Sequence, residues 1–252
     1  MRALLVLVPL LAACSAGPTA GSVAVDPADL ERIALRPGTS TPQAVPLGGS
    51  RTLNILLDVP ADLAGGVPLV IAMPYAGSPV GAQEEYHRVL ARPGLSGLGA
   101  IVVVPRVFDV RWTSDVAVEA IASFVEAAVE AWPVRPDRVV VTGYSDGGNG
   151  VWAQLRARPD LYSAAIPMAS TPPDPAPAVV PLYVVHGEND ELFPVGGARR
   201  AAGQVERAGG TVVLETPAFS HFQAGRYAAA LDRAAAWVRT EVWGEPAAAG
   251  PR

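Results

Sequence analysis

The stretch "VVVTGYSDGGNGVWAQL", from Val139 to Leu155, decides the fold. Its first residues are β-branched and favour a buried strand, and a helix is predicted from about Gly148 to Ala157. The turn between them holds Ser145 within a G-x-S-x-G pattern. A serine between a strand and a helix in this pattern is typical of a nucleophile held on a strained turn. The alternative is a structural turn that the residues after Ser145 would form anyway.

The segments around this stretch alternate between strand-like and helix-like patterns. Two continuous apolar runs, Val67 to Pro74 and Ala100 to Pro105, are typical of strands buried on both faces of a parallel sheet. Arg51 to Pro60 is predicted to pair with the segment near Val45 as an N-terminal hairpin. We therefore predict an α/β fold with a mostly parallel central sheet and helices on both faces.

Two further features of the pattern concern helices and loops. A short helix in "GAQEEYHRVLARPG" is expected to stop near Pro93 and Gly94. The proline-rich loop from Ser170 to Pro181 is too short to build a lid domain. We therefore expect no large lid and a site that is open to bulky or polymeric substrates.

The composition excludes several kinds of chemistry. All 19 basic residues are arginine, so the chain lacks the lysine that a phosphate-binding P-loop, Schiff-base catalysis or Ser-Lys catalysis needs. The net charge is −5 and the arginines are scattered, which argues against nucleic acid as a partner. Half of the residues are hydrophobic, which is enough to fill one large core.

The N-terminal segment "MRALLVLVPLLAAC" has one positive charge and a short apolar run, which is typical of a signal peptide. Leu11 to Cys14 resembles a bacterial lipobox, whose cysteine is lipidated, and Cys14 is the single cysteine of the chain. We predict a signal peptide over residues 1–13, a tether over 14–30, a catalytic domain over 31–243 and a disordered tail over 244–252. The expected location is extracytoplasmic, on a membrane through acyl chains at Cys14, with secretion as the alternative.

A serine nucleophile needs a base, and the chain has three histidines. His87 precedes the serine and is expected at a surface or packing position. His186 closes a strand and is expected to be a buried residue bonded to the backbone. His221 lies in a loop after the last strand, from which it can reach the carboxyl edge of the sheet, so it is the predicted general base.

The acid that orients the histidine is expected in "HGENDELFPV", which follows the penultimate strand. Asp190 is the preferred candidate because its loop starts at the same sheet edge as Ser145, and Glu188 is the reserve. The alternative role of Asp190 is to cap the next helix. The order Ser145, Asp190, His221 is that of α/β-hydrolases and differs from the orders in chymotrypsin-like and subtilisin-like enzymes.

Three blocks together resemble a known family: "VTGYSDGGNGVWAQLRARPDLYSAAIPMAS", "PLYVVHGENDELFPV" and "SHFQ". They are similar to α/β-hydrolase esterases of the polyhydroxybutyrate-depolymerase, feruloyl-esterase and dienelactone-hydrolase-like type. The resemblance implies hydrolysis of carboxylic esters through an acyl-serine, with no metal and no organic cofactor. The substrate would be a small-molecule or polymeric ester.

The resemblance also implies an oxyanion hole made of two backbone N–H groups. One is that of Asp146, directly after the serine. The other comes from a loop where family members usually have His-Gly, whereas this chain has Pro74 and Tyr75. Ala76 is the aligned donor and Tyr75 the alternative. The negative side chain of Asp146 is expected either to disfavour anionic substrates or to point away and cap the next helix.

Two other functions are compatible with these patterns. A serine peptidase of the prolyl-oligopeptidase type shares the fold and the order of the three residues, although nothing here resembles its propeller domain. A binding lipoprotein that kept the fold without catalysis is favoured only by the unusual loop at Pro74. Trp112 is a candidate for a pocket wall, with core packing as the alternative.

Overall fold

The computed structural model describes residues 23–48, 50–75, 81–106 and 111–245. The described residues form eight strands: β1 (Ser40–Leu47), β2 (Arg51–Asp58), β3 (Val67–Met73), β4 (Ile101–Arg106), β5 (Val134–Tyr144), β6 (Ala164–Met168), β7 (Leu182–Val185) and β8 (Val212–Glu215). They also form seven α-helices: α1 (Pro27–Glu31), α2 (Ala82–Tyr86), α3 (Arg92–Leu95), α4 (Asp115–Ala131), α5 (Asp146–Ala157), α6 (Gly196–Arg207) and α7 (Ala228–Trp237).

All eight strands belong to one sheet, in the order β1-β2-β4-β3-β5-β6-β7-β8. β1 and β2 form the antiparallel hairpin that the sequence predicts, and β2 also runs antiparallel to β4. From β4 to β8 every neighbouring pair is parallel. The predicted α/β architecture with a mostly parallel sheet is therefore confirmed.

The sheet has a hydrophobic core on each face because successive side chains of a strand point to opposite sides. In β3, Leu69 and Ile71 lie in one core, whereas Val70 and Ala72 lie in the other. The first core is covered by α1, α4, α5 and α6, and the second by α7 and the helical segment 82–98. Burial on both faces explains why the parallel strands are continuous apolar runs.

The helical segment that starts at Ala82 runs through Pro93, and its last α-helical residue is Leu95, one residue past the predicted stop near Pro93 and Gly94. A π-helical turn, His87–Ala91, joins α2 to α3, and a 3₁₀ turn continues to Leu98. In the π turn the N–H of Arg92 donates to the carbonyl of His87, five residues back. Pro93 then occupies the first turn of α3, where a missing N–H is tolerated.

The folded domain begins earlier than the predicted boundary at residue 31. Val23 and Val25 are buried in the first core, and α1 packs there through Leu30. The Asp26 carboxylate caps α1 by accepting a hydrogen bond from the N–H of Ala28, 2.9 Å away. Residues 23–30 of the predicted tether thus belong to the domain, because their apolar side chains are buried in the first core.

The end of the domain also extends slightly past its predicted limit. Glu245 forms ion pairs with Arg138 and Arg239, so residues 244 and 245 are held against the domain. The remainder of the predicted tail, 246–252, lies outside the described residues, as do the predicted signal peptide and Cys14.

Candidate active site

Ser145 occupies a sharp turn between β5 and α5. Its backbone has φ 59° and ψ −117°, a conformation that residues other than glycine rarely adopt. Its N–H donates to the Met168 carbonyl of β6 at 3.0 Å, which fixes the turn to the neighbouring strand. The sheet therefore stabilises the strained conformation of Ser145. The turn places the serine hydroxyl at the carboxyl end of β5.

Two glycines make this turn sterically feasible. A Cβ atom on Gly143 would lie 2.3 Å from the carbonyl oxygen of Gly147. A Cβ atom on Gly147 would lie 2.0 Å from the carbonyl oxygen of Met73, at the end of β3. The fixed glycines of the G-x-S-x-G pattern are thus explained by close backbone approach, because no side chain fits at either position.

The structure brings Ser145, His221 and Asp190 together. The hydroxyl oxygen of Ser145 lies 2.9 Å from Nε2 of His221, and Nδ1 of His221 lies 2.9 Å from Oδ2 of Asp190. His221 and Asp190 are both buried. The three side chains form a continuous hydrogen-bonded chain from the hydroxyl to the carboxylate, and this is the arrangement that activates a serine.

Asp190 lies in the loop after β7, and its carboxylate is surrounded by donors. Oδ1 accepts hydrogen bonds from the N–H groups of Leu192 and Phe193, at 3.0 and 2.8 Å, while Oδ2 faces His221. These donors compensate for the hydration that a buried carboxylate loses. Glu188, the reserve candidate, is exposed and pairs with Arg199 instead.

Two residues that the sequence reasoning missed hold the backbone of His221. The Glu191 carboxylate accepts a hydrogen bond from the N–H of His221 at 2.8 Å, and the Tyr144 hydroxyl donates to the carbonyl of His221. Burial raises the pKa of Tyr144, which keeps this hydroxyl protonated as a donor. Glu191 follows Asp190 in the chain and Tyr144 precedes Ser145. This adjacency is the feature of the sequence that could have indicated both residues.

The other two histidines have structural partners. His87 is buried, and its Nε2 lies 2.8 Å from the Asp58 carboxylate at the end of β2. Burial alone would raise the pKa of Asp58, but hydrogen bonds from His87 and Ser40 outweigh it and keep that pKa below its usual range. His186 donates from Nε2 to the Phe193 carbonyl at 2.6 Å, as expected for a buried histidine bonded to the backbone.

The Asp146 side chain is bound by the residues that precede α4. It is buried, and its carboxylate accepts hydrogen bonds from Arg111 at 3.1 Å and from the N–H of Trp112 at 3.3 Å. The indole N–H of Trp112 donates to the Pro74 carbonyl at 2.8 Å. Trp112 therefore packs in the core and connects the loop before α4 to the end of β3. Its role is the core packing given above as the alternative to a pocket wall.

Of the two predicted oxyanion donors, Asp146 lies within the described residues and Ala76 does not. Asp146 is the first residue of α5, so its N–H is one of those that have no partner inside the helix. Tyr75, the alternative to Ala76, directly precedes it, and its ring packs edge-on against Tyr86 and Tyr144, with centroids 6.3 and 6.5 Å apart.

A cavity of about 680 Å³ opens beside Ser145. This volume suits a ligand of drug size. The described lining residues are Tyr75, Glu85, Val89, Tyr144, Ser145, Leu192, His221, Phe222, Gln223, Ala224, Gly225 and Arg226.

No family model matches the chain, and no curated protein matches its sequence. Solved structures do match. A dienelactone hydrolase, itself named as putative, from Klebsiella pneumoniae is 14% identical, with a TM-score of 0.64 over 82% of this chain and 99% of that one. The chain has an α/β-hydrolase fold.

Two solved esterases share this α/β-hydrolase fold. Esterase 2 of the planctomycete Thermogutta terrifontis is 17% identical, with a TM-score of 0.64 over 85% of this chain and 96% of its own. A thermostable esterase is 19% identical, with a TM-score of 0.60 over 78% of this chain. The match covers 60% of that esterase, which is under two thirds of its length.

The part of the chain that the structure describes contains no candidate metal site and no candidate membrane span. No group of three or more His, Cys, Asp or Glu side chains there could hold a metal ion. None of the helices in these ranges is both long and apolar enough to cross a bilayer.

Proposed function

We propose that the protein is a serine hydrolase that cleaves carboxylic esters, with Ser145 as nucleophile, His221 as general base and Asp190 as the acid that orients the imidazole. The observation that carries the proposal is the hydrogen-bonded chain from the Ser145 hydroxyl through His221 to Asp190, with both links at 2.9 Å. The strained backbone of Ser145 supports it, because such strain is concentrated at functional positions.

The first half of the reaction forms an acyl-enzyme. The Ser145 oxygen gives its proton to Nε2 of His221 and bonds to the ester carbonyl carbon, whose oxygen becomes an oxyanion. When this adduct collapses, the bond to the alcohol oxygen breaks and the proton on Nε2 passes to the leaving alcohol. Asp190 holds the imidazole in the tautomer and orientation that both transfers need.

The second half releases the acid. A water molecule gives a proton to Nε2 of His221 and bonds to the acyl carbon, and the bond to the Ser145 oxygen then breaks as that oxygen recovers the proton. In both halves we propose that the N–H of Asp146 stabilises the oxyanion, with a second N–H from Ala76 or Tyr75. The close approach of Gly147 to Met73 and Pro74 supports this, because it puts the residues after β3 beside the turn that carries Ser145.

A labelling experiment tests the proposal. We expect a fluorophosphonate probe to label the wild-type protein at Ser145, and Ser145→Ala to lose labelling and at least about a thousandfold of p-nitrophenyl acetate hydrolysis. The structure of Thermogutta terrifontis esterase 2 phosphorylated by paraoxon supports the choice of an organophosphorus probe. Ser40→Ala, which changes an exposed serine of β1, is the matched control and should label like the wild type. The proposal is wrong if folded wild-type protein is not labelled, or if Ser145→Ala still reacts.

We also propose that the protein is an extracytoplasmic lipoprotein held on a bacterial membrane through Cys14. The support is the lipobox-like segment from Leu11 to Cys14 after an apolar run. In this arrangement the α/β-hydrolase domain would act on esters outside the cytoplasm.

A further inference from the structure

Two large apolar side chains stand exposed at the mouth of the cavity beside Ser145. Phe222 is 73% exposed and Leu192 is 51% exposed, and both line the cavity. Among the residues that the structure describes, the one other large hydrophobic side chain exposed to this degree is Val179, which does not line the cavity. Scattered exposed hydrophobic residues are ordinary, but two from separate loops at one mouth point to a ligand.

One ring contact and one backbone hydrogen bond connect the two residues to the site. Phe222 directly follows His221, and the two rings pack edge-on with centroids 5.6 Å apart. The backbone N–H of Leu192 donates to the Asp190 carboxylate at 3.0 Å. These contacts place both residues next to His221 and Asp190, and their exposed side chains form an apolar rim at the cavity.

The charged residues of the cavity already have partners in the protein. The Arg226 guanidinium lies over the Phe219 ring, 4.6 Å from its centroid, and donates to the Gln223 side chain at 3.2 Å. Burial raises the pKa of Tyr75, and the charge of Glu85 and its hydrogen bond to Tyr75 raise it further. With one acid and one base, each partnered, the described lining favours a neutral group over a charged one.

We propose that Leu192 and Phe222 form a subsite for the larger apolar group of a neutral ester, an alkyl chain of medium length or an aryl group. The proposal rests on the proposed function and names its substrate class. We expect a longer group of the ester to remove more apolar surface of both side chains from water than a short one does. The two residues thus determine specificity without taking part in the chemistry.

Two ester series test this proposal on the full-length protein. One varies the acyl group from acetate to octanoate on p-nitrophenol, and the other varies the alcohol of acetate esters from ethyl to octyl. We expect kcat/KM of the wild type to rise at least about tenfold along one series, because each buried CH₂ group adds favourable transfer free energy. The series that responds identifies the side of the ester that occupies the rim.

Variants of the rim should remove this preference. We expect Phe222→Ala and Leu192→Ala each to lower kcat/KM for the longest responding ester about fivefold, and the double variant more, while the shortest ester changes less than about twofold. Val179→Ala removes a similarly exposed apolar side chain elsewhere and should keep the wild-type preference. Because the changed side chains are exposed, thermal unfolding midpoints should stay within about 2 °C, which separates selectivity from folding.

The outcomes separate this proposal from the proposed function. If the wild type hydrolyses esters but shows no chain-length preference, or if the rim variants keep it, the subsite is refuted alone. If no ester is hydrolysed and no probe reacts, the proposed function has failed. If Phe222→Ala weakens co-sedimentation with phosphatidylcholine vesicles but leaves ester selectivity unchanged, the rim contacts lipid and the subsite is again refuted.

Discussion

His221 is held from several directions in the folded protein. Its N–H donates to Glu191, its carbonyl accepts from Tyr144, and its Nδ1 faces Asp190. The edge-on ring of Phe193 packs against the imidazole with centroids 5.1 Å apart. These contacts support the orientation in which Nε2 of His221 lies 2.9 Å from the Ser145 hydroxyl oxygen.

Glu191 is therefore expected to be a positioning residue. We predict that Glu191→Ala lowers kcat about tenfold on p-nitrophenyl acetate and leaves KM within about twofold, because the loop that carries His221 loses an acceptor but substrate contacts remain. Steady-state kinetics measure this difference. Glu191→Gln keeps an oxygen acceptor and should recover most of the activity.

A neighbour in the same loop provides the control for Glu191. The exposed Glu188 pairs with Arg199 and does not contact His221, so Glu188→Ala should retain wild-type kcat. Equal losses in Glu191→Ala and Glu191→Gln would show that the hydrogen bond to His221 is not what positions the loop.

At the scale of elements, the position of Ser145 depends on how tightly β5, α5 and β3 pack. The turn at Ser145 brings α5 so close to the sheet that Gly147 contacts the backbone of Met73 and Pro74. Gly148 is equally confined, since a Cβ atom there would lie 2.6 Å from the Met168 carbonyl oxygen. Glycine at these positions is a requirement of close packing between a helix and two strands.

We predict that Gly147→Ala lowers the free energy of unfolding by about 3 kcal/mol, the upper range for overpacking, because the colliding atoms are backbone and cannot rotate away. Urea unfolding followed by circular dichroism measures the change. Gly197→Ala, at the start of α6, is the matched control. Its new Cβ atom would meet nothing nearer than Pro172 at 3.7 Å, so its stability should change by less than about 1 kcal/mol.

If Gly147→Ala were as stable as Gly197→Ala, the contact between α5 and β3 would have to be looser than the structure shows. A loss of activity in a stable Gly147→Ala protein would instead show that the turn shifts without unfolding the domain. The shift would then displace Ser145.

At the scale of the whole molecule, the early start of the domain bears on the proposed membrane anchor. Because Val23 is already buried in the core, eight residues, 15–22, separate it from Cys14. A chain of that length spans at most about 30 Å even when fully extended. A lipid at Cys14 would therefore keep the α/β-hydrolase domain close to the membrane surface.

We predict that the protein expressed in a bacterium with lipoprotein processing appears in the membrane fraction, and that Cys14→Ala releases it, because acyl chains at this residue supply the membrane affinity. Fractionation and the acyl mass on the N-terminal peptide measure this. Ser15→Ala, which changes the next residue and leaves the thiol, should stay with the membrane. Retention of Cys14→Ala in the membrane would contradict the anchor.

Local patterns were sufficient to predict the architecture. Buried parallel strands produce apolar runs, and a serine on a tight turn needs glycines around it, so the alternation of strands and helices and the turn at Ser145 follow from neighbouring residues in the chain. A shorter side chain reaches an imidazole without folding back, and this predicts Asp190 rather than Glu188 as the partner of His221. The structure brings Asp190 to His221 and turns Glu188 toward Arg199.

Tertiary structure alone decided the features that depend on residues far apart in the chain. The direction of the Asp146 carboxylate is set by Arg111 and Trp112, and the support of His221 by Glu191 comes from a residue 30 positions earlier. The burial of Val23 and Val25 likewise depends on a surface that the rest of the domain creates. Periodicity and turn composition carry no information on such pairs, because a hydrogen bond or a packed contact forms between whichever groups the fold brings together.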